Sequence, residues 1–161
     1  GEIGKTSGRV PASPEVTYPK HEEKRKSVER DGLISLGDVG YMKEGRLYLC
    51  DRRSDMVIFG GTNIYPAEIE MVLTQCPGVK DCAVFGIPDD DFGESLAAAV
   101  ERMPESQVTP EEIRSYLLER LAKFKVPKRI DFHESLPRED SGKIFKRRLR
   151  DPFWQNAGRK I

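Results

Sequence analysis

Three glycine-containing segments carry residue types that could handle a nucleotide or another anion. In the first, Asp38 stands between Gly37 and Gly40, after a short apolar run. A carboxylate placed there can accept hydrogen bonds from paired hydroxyls, as acidic side chains do with ribose. A turn closed by its own aspartate has the same residue types, and both interpretations are open for this segment alone.

The second segment places Gly60 and Gly61 directly after the apolar run 56–59. Adjacent glycines let the backbone approach a ligand where a side chain would clash. Their spacing is not that of a dinucleotide-binding fingerprint. A structural strand-to-helix loop would have the same composition, so the segment by itself predicts either a ligand contact or a simple connection.

The third segment carries Lys143 directly after Ser141 and Gly142. The Ser-Gly step predicts a flexible loop ahead of a helix, and lysine is a compact cation that suits a phosphate or a carboxylate. The segment is not a Walker loop, because Pro137 occupies the place of its first glycine and Ile144 follows the lysine. Without a wider pattern, a solvated surface lysine is the commoner interpretation.

Short strands make up most of the elements that must position these segments. The apolar runs 33–36 and 47–50 predict a hairpin or meander that turns at Glu44 and Gly45. Further strands are predicted at 56–59, 79–87, 96–100 and 129–132.

Helices are predicted after two prolines. Pro66 opens a segment with apolar residues at helical spacing, and Thr109 precedes Pro110 as an N-cap before an acidic first turn. A basic helix is expected from about Ile144 to Arg150. Because short strands and helices alternate irregularly, the predicted fold class is α+β rather than a doubly wound sheet.

Composition excludes several classes of protein. The chain has 161 residues, and 27 Lys and Arg balance 27 Asp and Glu, which argues against a protein that coats nucleic acid. The sequence has no apolar run of ~18 residues, so no transmembrane helix is predicted. The cysteines Cys50, Cys76 and Cys82 lack a paired spacing, so reduced thiols and a cytoplasmic location are expected.

No metal site is predicted. The chain has 2 histidines, far apart and without a ligand partner at helical spacing. The acidic run Asp89-Asp90-Asp91 lacks the further ligands of a calcium loop and is more typical of an exposed turn. Residues 1 to about 31, rich in glycine, proline and charge, predict a surface loop and a solvated helical turn.

Taken together and in this order, the three segments resemble the adenylate-forming family of acyl- and aryl-CoA synthetases. The resemblance extends from about Asp31 to Arg150 and fits bacterial fatty-acyl or aryl-CoA ligases best. It rests on Arg52-x-x-Asp55, Gly60-Gly61, Pro66-x-Glu68-Ile69-Glu70, Pro127-Lys128, Leu136-Pro137 and Ser141-Gly142-Lys143.

The resemblance implies nucleotide-binding and hinge roles in the first third of the chain. Asp38 matches the family aspartate that holds the ribose hydroxyls of ATP or the acyl adenylate. Arg52 matches the arginine at the domain junction that also reaches the ribose. Ser54 falls at the hinge about which the C-terminal domain rotates, a position where many members carry Asp or Lys.

The resemblance also implies that two later sites serve different steps. Lys143 matches the catalytic lysine that contacts the carboxylate and the α-phosphate, where a cation stabilises the meeting of two anions. Gly61, beside Gly60, matches the glycine that lines the pantetheine tunnel during thioester formation. Domain rotation would withdraw the lysine and present the glycines to CoA, whose arm needs a path free of side chains.

The resemblance further implies that this chain is the C-terminal portion of a longer enzyme. Residues 1–53 would be the last β-strands of a large N-terminal domain, and 54–161 a small mobile lid with a sheet flanked by helices. That N-terminal domain would be the partner that holds the phosphate loop, the acid pocket and the ligands of the Mg²⁺ expected with ATP. Alone, the chain is expected to be inactive.

The implied reaction is acid + ATP + CoA → acyl-CoA + AMP + diphosphate through an acyl adenylate, with ATP and CoA as substrates. An alternative in the same superfamily is an adenylation domain that loads a carrier protein. In a different class, the chain could act only as a binding or dimerising module. Strands severed from their sheet leave open edges that pair with a second copy, which would give a homodimer.

Overall fold

The computed structural model describes residues 3–7, 29–30, 33–35, 37–155 and 157. The chain divides into two units, Gly1–Ser54 and Asp55–Ile161. The loop and helical turn predicted near the N-terminus lie almost entirely outside the described residues. None of the described helices has the length and apolar character needed to cross a membrane.

The first unit is built on a β-hairpin. Its strands, in chain order, are β1 (Gly4–Lys5), β2 (Glu29–Arg30), β3 (Leu33–Ile34), β4 (Asp38–Lys43) and β5 (Arg46–Arg52). An antiparallel sheet has the order β1-β4-β5, and β2 pairs separately with β3. Glu44 and Gly45 connect β4 to β5 at φ +50° and +74°, the positive values that a two-residue primed turn needs.

The predicted turn at Glu44 and Gly45 and the strand after it are confirmed, but the pairing of 33–36 with 47–50 is wrong. The partner of β5 is β4. Asp38 is the first residue of β4, whereas the prediction put it at the end of an apolar strand. Strand β4 contains the small Gly40 at a β-bulge and no continuous apolar run, so apolar runs do not predict a strand there. A side chain at Gly40 would collide with the carbonyl oxygen of Tyr48 on β5, which explains the glycine.

The second unit is one sheet with helices on both faces. Its elements are β6 (Val57–Phe59), β7 (Thr62–Ile64), α1 (Pro66–Leu73), β8 (Val79–Asp89), β9 (Gly93–Arg102), α2 (Pro110–Leu118), a 3-10 turn (Lys123–Lys125), β10 (Arg129–His133) and α3 (Lys146–Trp154). Strands β8 and β9 form a long antiparallel hairpin, and β10 runs parallel to β9 on its other side. The β6–β7 hairpin joins the start of β9.

Both faces of the β8–β9 hairpin are buried. One face packs against α1 and α2 in a cluster that includes Ile69, Leu73, Ile113, Leu117, Val84 and Ala98. The other face packs against α3 and the segment before it through Ala83, Phe85, Ala97, Ala99, Leu136 and Leu149. Because successive strand residues alternate between faces, burial on both sides requires the near-continuous apolar runs seen in the sequence.

Most predicted elements of the second unit are confirmed, as is the α+β class. Helices begin at Pro66 and Pro110, and Thr109 caps α2 reciprocally with Glu112. Strands occupy all four predicted ranges, and α3 is displaced a few residues toward the C-terminus from its predicted bounds. Strand β7 was not predicted, because Thr62–Ile64 has a single buried residue.

The acidic turn between β8 and β9 is held by hydrogen bonds. The ammonium of Lys128 lies 2.6 Å from the Oδ2 of Asp89. The Oδ1 of Asp89 accepts hydrogen bonds from the backbone N–H groups of Asp91 and Phe92. These contacts, with the Lys128 bond the strongest, lower the pKa of Asp89 to about 2. The carboxylate of Asp89 therefore has a structural role in this turn.

Replacing Asp89 by Asn is expected to flatten the acid dependence of stability. A carboxyl group whose folded pKa is depressed stabilises the fold above its unfolded pKa of about 3.9, and that contribution is lost as pH falls toward 2. The free energy of unfolding, measured by denaturant titration between pH 2 and 5, should fall less steeply in the variant. Asp90→Asn on the same turn is the control, and an equal slope in both variants would refute the assignment.

Candidate active site

Lys143 lies in a loop between β10 and α3 whose backbone is hydrogen-bonded across itself. Arg138 and Ile144 form an isolated antiparallel bridge. The N–H of Glu139 donates to the carbonyl of Lys143 at 2.8 Å, and the N–H of Gly142 donates to the carbonyl of Glu139 at 2.8 Å. Gly142 has φ +83°, a value that glycine adopts without strain. The loop is therefore a closed turn with Lys143 near its end.

The side chain of Lys143 is exposed. Within the part of the chain that the structure describes, its ammonium group makes no hydrogen bond or ion pair. The loop thus holds the lysine backbone in place and leaves its charge exposed to solvent. Such a cation is available to an anionic ligand without first breaking a contact within the described residues.

Gly60 and Gly61 form the turn of the β6–β7 hairpin, so the interpretation of a strand-to-helix loop is wrong. Their φ values are +52° and +84°, where L side chains are strained. The N–H of Gly60 donates to the carbonyl of Phe92 at 2.9 Å, and a Cβ at Gly60 would lie 3.2 Å from the Phe92 ring. Apart from Gly61 itself and its two chain neighbours, no described residue has an atom within 4 Å of a Cβ built at Gly61. Gly61 is therefore the exposed tip of a tight turn.

Asp38 and Arg52 face each other at the open end of the β4–β5 hairpin. They are register partners, and the Nε of Arg52 lies 3.8 Å from the Oδ1 of Asp38. Their side chains are 29% and 60% exposed, so the ion pair contributes less than about 1 kcal/mol and keeps its donors and acceptors open to a ligand. Thr6 on the β1 side donates its hydroxyl to the backbone carbonyl of Asp38 at 2.9 Å, which fixes the strand there.

The candidate residues fall into two groups. Asp38 and Arg52 belong to the first unit, whereas the glycine pair and Lys143 belong to the second. Ser54 is the last residue of the first unit, and Asp55 opens the second. The hinge role of Ser54 and the functional roles of the other candidates remain predictions.

The two buried thiols, Cys76 and Cys82, are poor candidates for nucleophilic chemistry. Burial raises the pKa of Cys82 strongly, and the neighbouring carboxylates of Glu70 and Asp81 raise it further. Burial also raises the pKa of Cys76. A thiol with a raised pKa stays protonated at neutral pH and reacts slowly. Among the described residues, no cluster of three or more His, Cys, Asp or Glu side chains could hold a metal ion.

Two ion pairs beside Lys143 were missed by the sequence analysis. The Nζ of Lys146 lies 2.7 Å from Glu70, and an Nη of Arg138 lies 2.5 Å from Asp81. Glu70 belongs to a segment that had been singled out, but no local spacing connects it to a lysine far along the chain. The pairing depends on how α1 and α3 meet at β8.

Comparison with known proteins finds similarity over the whole chain. Residues 68–143 match the family model described as the AMP-binding enzyme C-terminal domain. The chain is 41% identical to the fatty acid–[acyl-carrier-protein] ligase ScoC of Streptomyces coeruleorubidus, over 100% of this chain and 31% of that protein. It is 46% identical to a 2-succinylbenzoate–CoA ligase of Bacillus cereus, over 88% of this chain and 30% of that protein.

A solved structure has the same fold. The ATP-bound MatB of Rhodopseudomonas palustris matches with a TM-score of 0.88 and 38% identity, over 96% of this chain and 31% of that one. The chain therefore spans about a third of the length of the proteins that it matches.

Proposed function

The chain belongs to the AMP-binding enzymes, whose C-terminal domain it carries, and we propose that it is the C-terminal part of an ATP-dependent carboxylate–CoA ligase. The ammonium group of Lys143, presented by a hydrogen-bonded loop and without a partner among the described residues, is the observation that carries this proposal. The proposed substrates are ATP, CoA and a carboxylic acid, and the acid is activated as an acyl adenylate.

Lys143 serves the first half-reaction. A carboxylate oxygen attacks the α-phosphorus of ATP, the bond to diphosphate breaks, and the acyl adenylate forms. Both reactants are anions, so an ammonium group between the carboxylate and the α-phosphate stabilises the charge that builds up in the transition state. The Mg²⁺ expected with ATP finds no suitable cluster among the described residues, and its ligands are expected in the N-terminal domain.

The nucleotide is held by the first unit. The carboxylate of Asp38 can accept hydrogen bonds from the two ribose hydroxyls, and the guanidinium of Arg52 beside it can donate to the same sugar. These contacts are needed in both half-reactions, because the adenosine part stays bound until AMP leaves. Because Asp38 and Arg52 both belong to the first unit, which ends at Ser54, the ribose site would remain fixed while the second unit rotates about Ser54.

Gly60 and Gly61 serve the second half-reaction. The thiol of CoA attacks the carbonyl carbon of the adenylate, the bond to AMP breaks, and the thiol proton passes to solvent. The open space around Gly61 supports a path for the narrow pantetheine arm along this turn. Lys143 and the glycine turn are thus assigned to different steps.

A carrier protein is the alternative acceptor. The relative ScoC, similar over the whole chain, is named as a ligase for an acyl-carrier protein. Purified polypeptide in which this chain follows its N-terminal domain would be given ATP, a panel of fatty and aryl acids, and either CoA or a phosphopantetheinylated carrier protein. Acyl-CoA measured by mass spectrometry is the expected product, and faster acylation of the carrier protein would favour the alternative.

The isolated 161-residue chain is proposed to lack adenylation activity, since the phosphate loop is expected in the N-terminal domain. Acid-dependent ATP–diphosphate exchange by the chain alone would overturn this. At edge strand β8, pairing with a second copy has less support, because the outward N–H of Val84 is already bound by Glu70. The open edges from which a dimerising module was predicted belong to the first unit, and that prediction stays untested. The reduced thiols of Cys76 and Cys82 support a cytoplasmic location.

A further inference from the structure

We infer that two ion pairs, whose carboxylates both accept from N–H groups of edge strand β8, set the position of Lys143 for adenylation, which makes Glu70 and Asp81 positioning residues. This inference rests on the proposed role of Lys143 and extends it to groups that do not touch the substrate. The lysine loop is defined as residues 138–144. One ion pair holds the chain just after this loop, and the other holds the start of the loop.

The anchor after the lysine loop joins α3 to α1. Lys146, three residues beyond Lys143, places its Nζ 2.7 Å from the Oε1 of Glu70. The side chains of Lys146 and Glu70 are only 18% and 20% exposed, so solvent and salt screen their attraction less than in a surface pair. The same oxygen of Glu70 accepts from the N–H of Val84 on β8 at 2.6 Å. The carboxylate of Glu70 is therefore bound to the sheet as well as to Lys146.

The anchor at the start of the lysine loop joins Arg138 to β8. One Nη of Arg138 lies 2.5 Å from the Oδ2 of Asp81, while the other donates to the carbonyl of Gly142 at 2.9 Å. The Oδ1 of Asp81 accepts from the N–H of Cys82 at 2.8 Å. A continuous set of contacts thus leads from the backbone of β8 to the peptide group directly before Lys143.

The two anchors use neighbouring places on one edge. Cys82 and Val84 are two residues apart on β8, so their N–H groups point the same way, away from the partner strand β9. Each N–H is bound by one of the anchoring carboxylates, Asp81 or Glu70. The lysine loop is therefore held at two points on one rigid strand. A catalytic group needs such support, because a misplacement of 1 Å can cost about 10²-fold in rate.

Another ion pair of the same helix makes no contact with the lysine loop among the described residues. Glu68, also on α1, accepts from Lys125 of the 3-10 turn at 2.7 Å. Glu68→Gln therefore removes one ion pair of α1 without altering the anchors. Glu70→Gln keeps an amide oxygen for the N–H of Val84 and removes only the charge that binds Lys146.

The test measures both half-reactions in the full polypeptide. Glu70→Gln and Lys146→Met are each expected to lower kcat for adenylate formation about tenfold, with KM for ATP little changed. Thioester formation from preformed adenylate should be unaffected. Lys146→Arg should restore most of the rate because it keeps the charge, and Glu68→Gln should behave as the unchanged enzyme. Asp81→Asn removes the charge that binds Arg138 and should cause the same selective loss of adenylate formation. It tests the inference if Glu70→Gln or Lys146→Met prevents folding.

A double-variant comparison separates positioning from simple stabilisation. In a Lys143→Ala background, Glu70→Gln is expected to cause no further loss of adenylation, because the group that it positions is gone. Equal loss with and without Lys143, equal loss in both half-reactions, or the same loss in Glu68→Gln would overturn the inference while the proposed function stands. Normal adenylation by Lys143→Ala alone would overturn the proposed function, and the inference with it.

Discussion

Replacing Lys143 by Ala is expected to slow adenylate formation about 10²- to 10³-fold in the polypeptide that carries this chain. The ammonium group is free of contacts among the described residues, so its removal breaks no ion pair of the described fold and leaves the loop backbone intact. The loss should appear in acid-dependent ATP–diphosphate exchange. Thioester formation from added acyl adenylate should be nearly unchanged, because the proposed rotation withdraws the lysine from that step.

The control for Lys143→Ala is Lys123→Ala, which removes another exposed lysine of the second unit. Lys143→Arg is expected to keep part of the activity, since it retains a positive charge in a bulkier, planar group. Equal losses in the two half-reactions would contradict the assignment of Lys143 to the first step. A full rate in both would remove the lysine from the chemistry altogether.

Replacing Gly61 by Trp is expected to give the opposite pattern. The φ of +84° costs a non-glycine residue about 1–2 kcal/mol, and the indole would fill the space proposed for the pantetheine arm. Thioester formation from preformed adenylate should fall about 10²-fold or more, because a displaced thiol cannot reach the carbonyl carbon. Adenylate formation should be largely retained.

Gly45→Trp provides a matched control for backbone strain. Gly45 is also the second residue of a two-residue hairpin turn and has φ +74°. Its chain neighbours apart, no described residue has an atom within 4 Å of a built Cβ. Its replacement therefore imposes similar strain on a turn that no step of the reaction uses. A similar loss of thioester formation in both variants would show that strain, and not obstruction of CoA, explains the result at Gly61.

The second unit could be predicted well from the sequence because its core imposes a strong pattern. Burial of β8 and β9 on both faces requires long apolar runs, and Thr109 with Pro110 marks a helix start that the reciprocal cap confirms. The first unit was harder to predict. Leu47 and Leu49 lie in an apolar run but are exposed in the structure. The apolar pattern there therefore did not indicate that β5 pairs with β4.

The candidate residues could be found from short motifs, but the contacts that support them could not. Lys143 and the glycine pair each lie in a local segment with its own signal. Arg138 and Asp81 are 57 positions apart, and their pairing depends on the packing of the lysine loop against β8. Long-range ion pairs of this kind leave no spacing to detect, so the structure was needed to reveal them.

The products formed from ATP and the acid test the proposed ligase activity most directly. The polypeptide that joins this chain to its N-terminal domain would be incubated with ATP, CoA and a carboxylic acid that supports exchange, and all products quantified by mass spectrometry. Equal amounts of AMP, diphosphate and acyl-CoA, none formed when the acid is omitted, are the predicted result. Release of ADP and phosphate, or AMP without any thioester in the presence of CoA, would contradict the assignment.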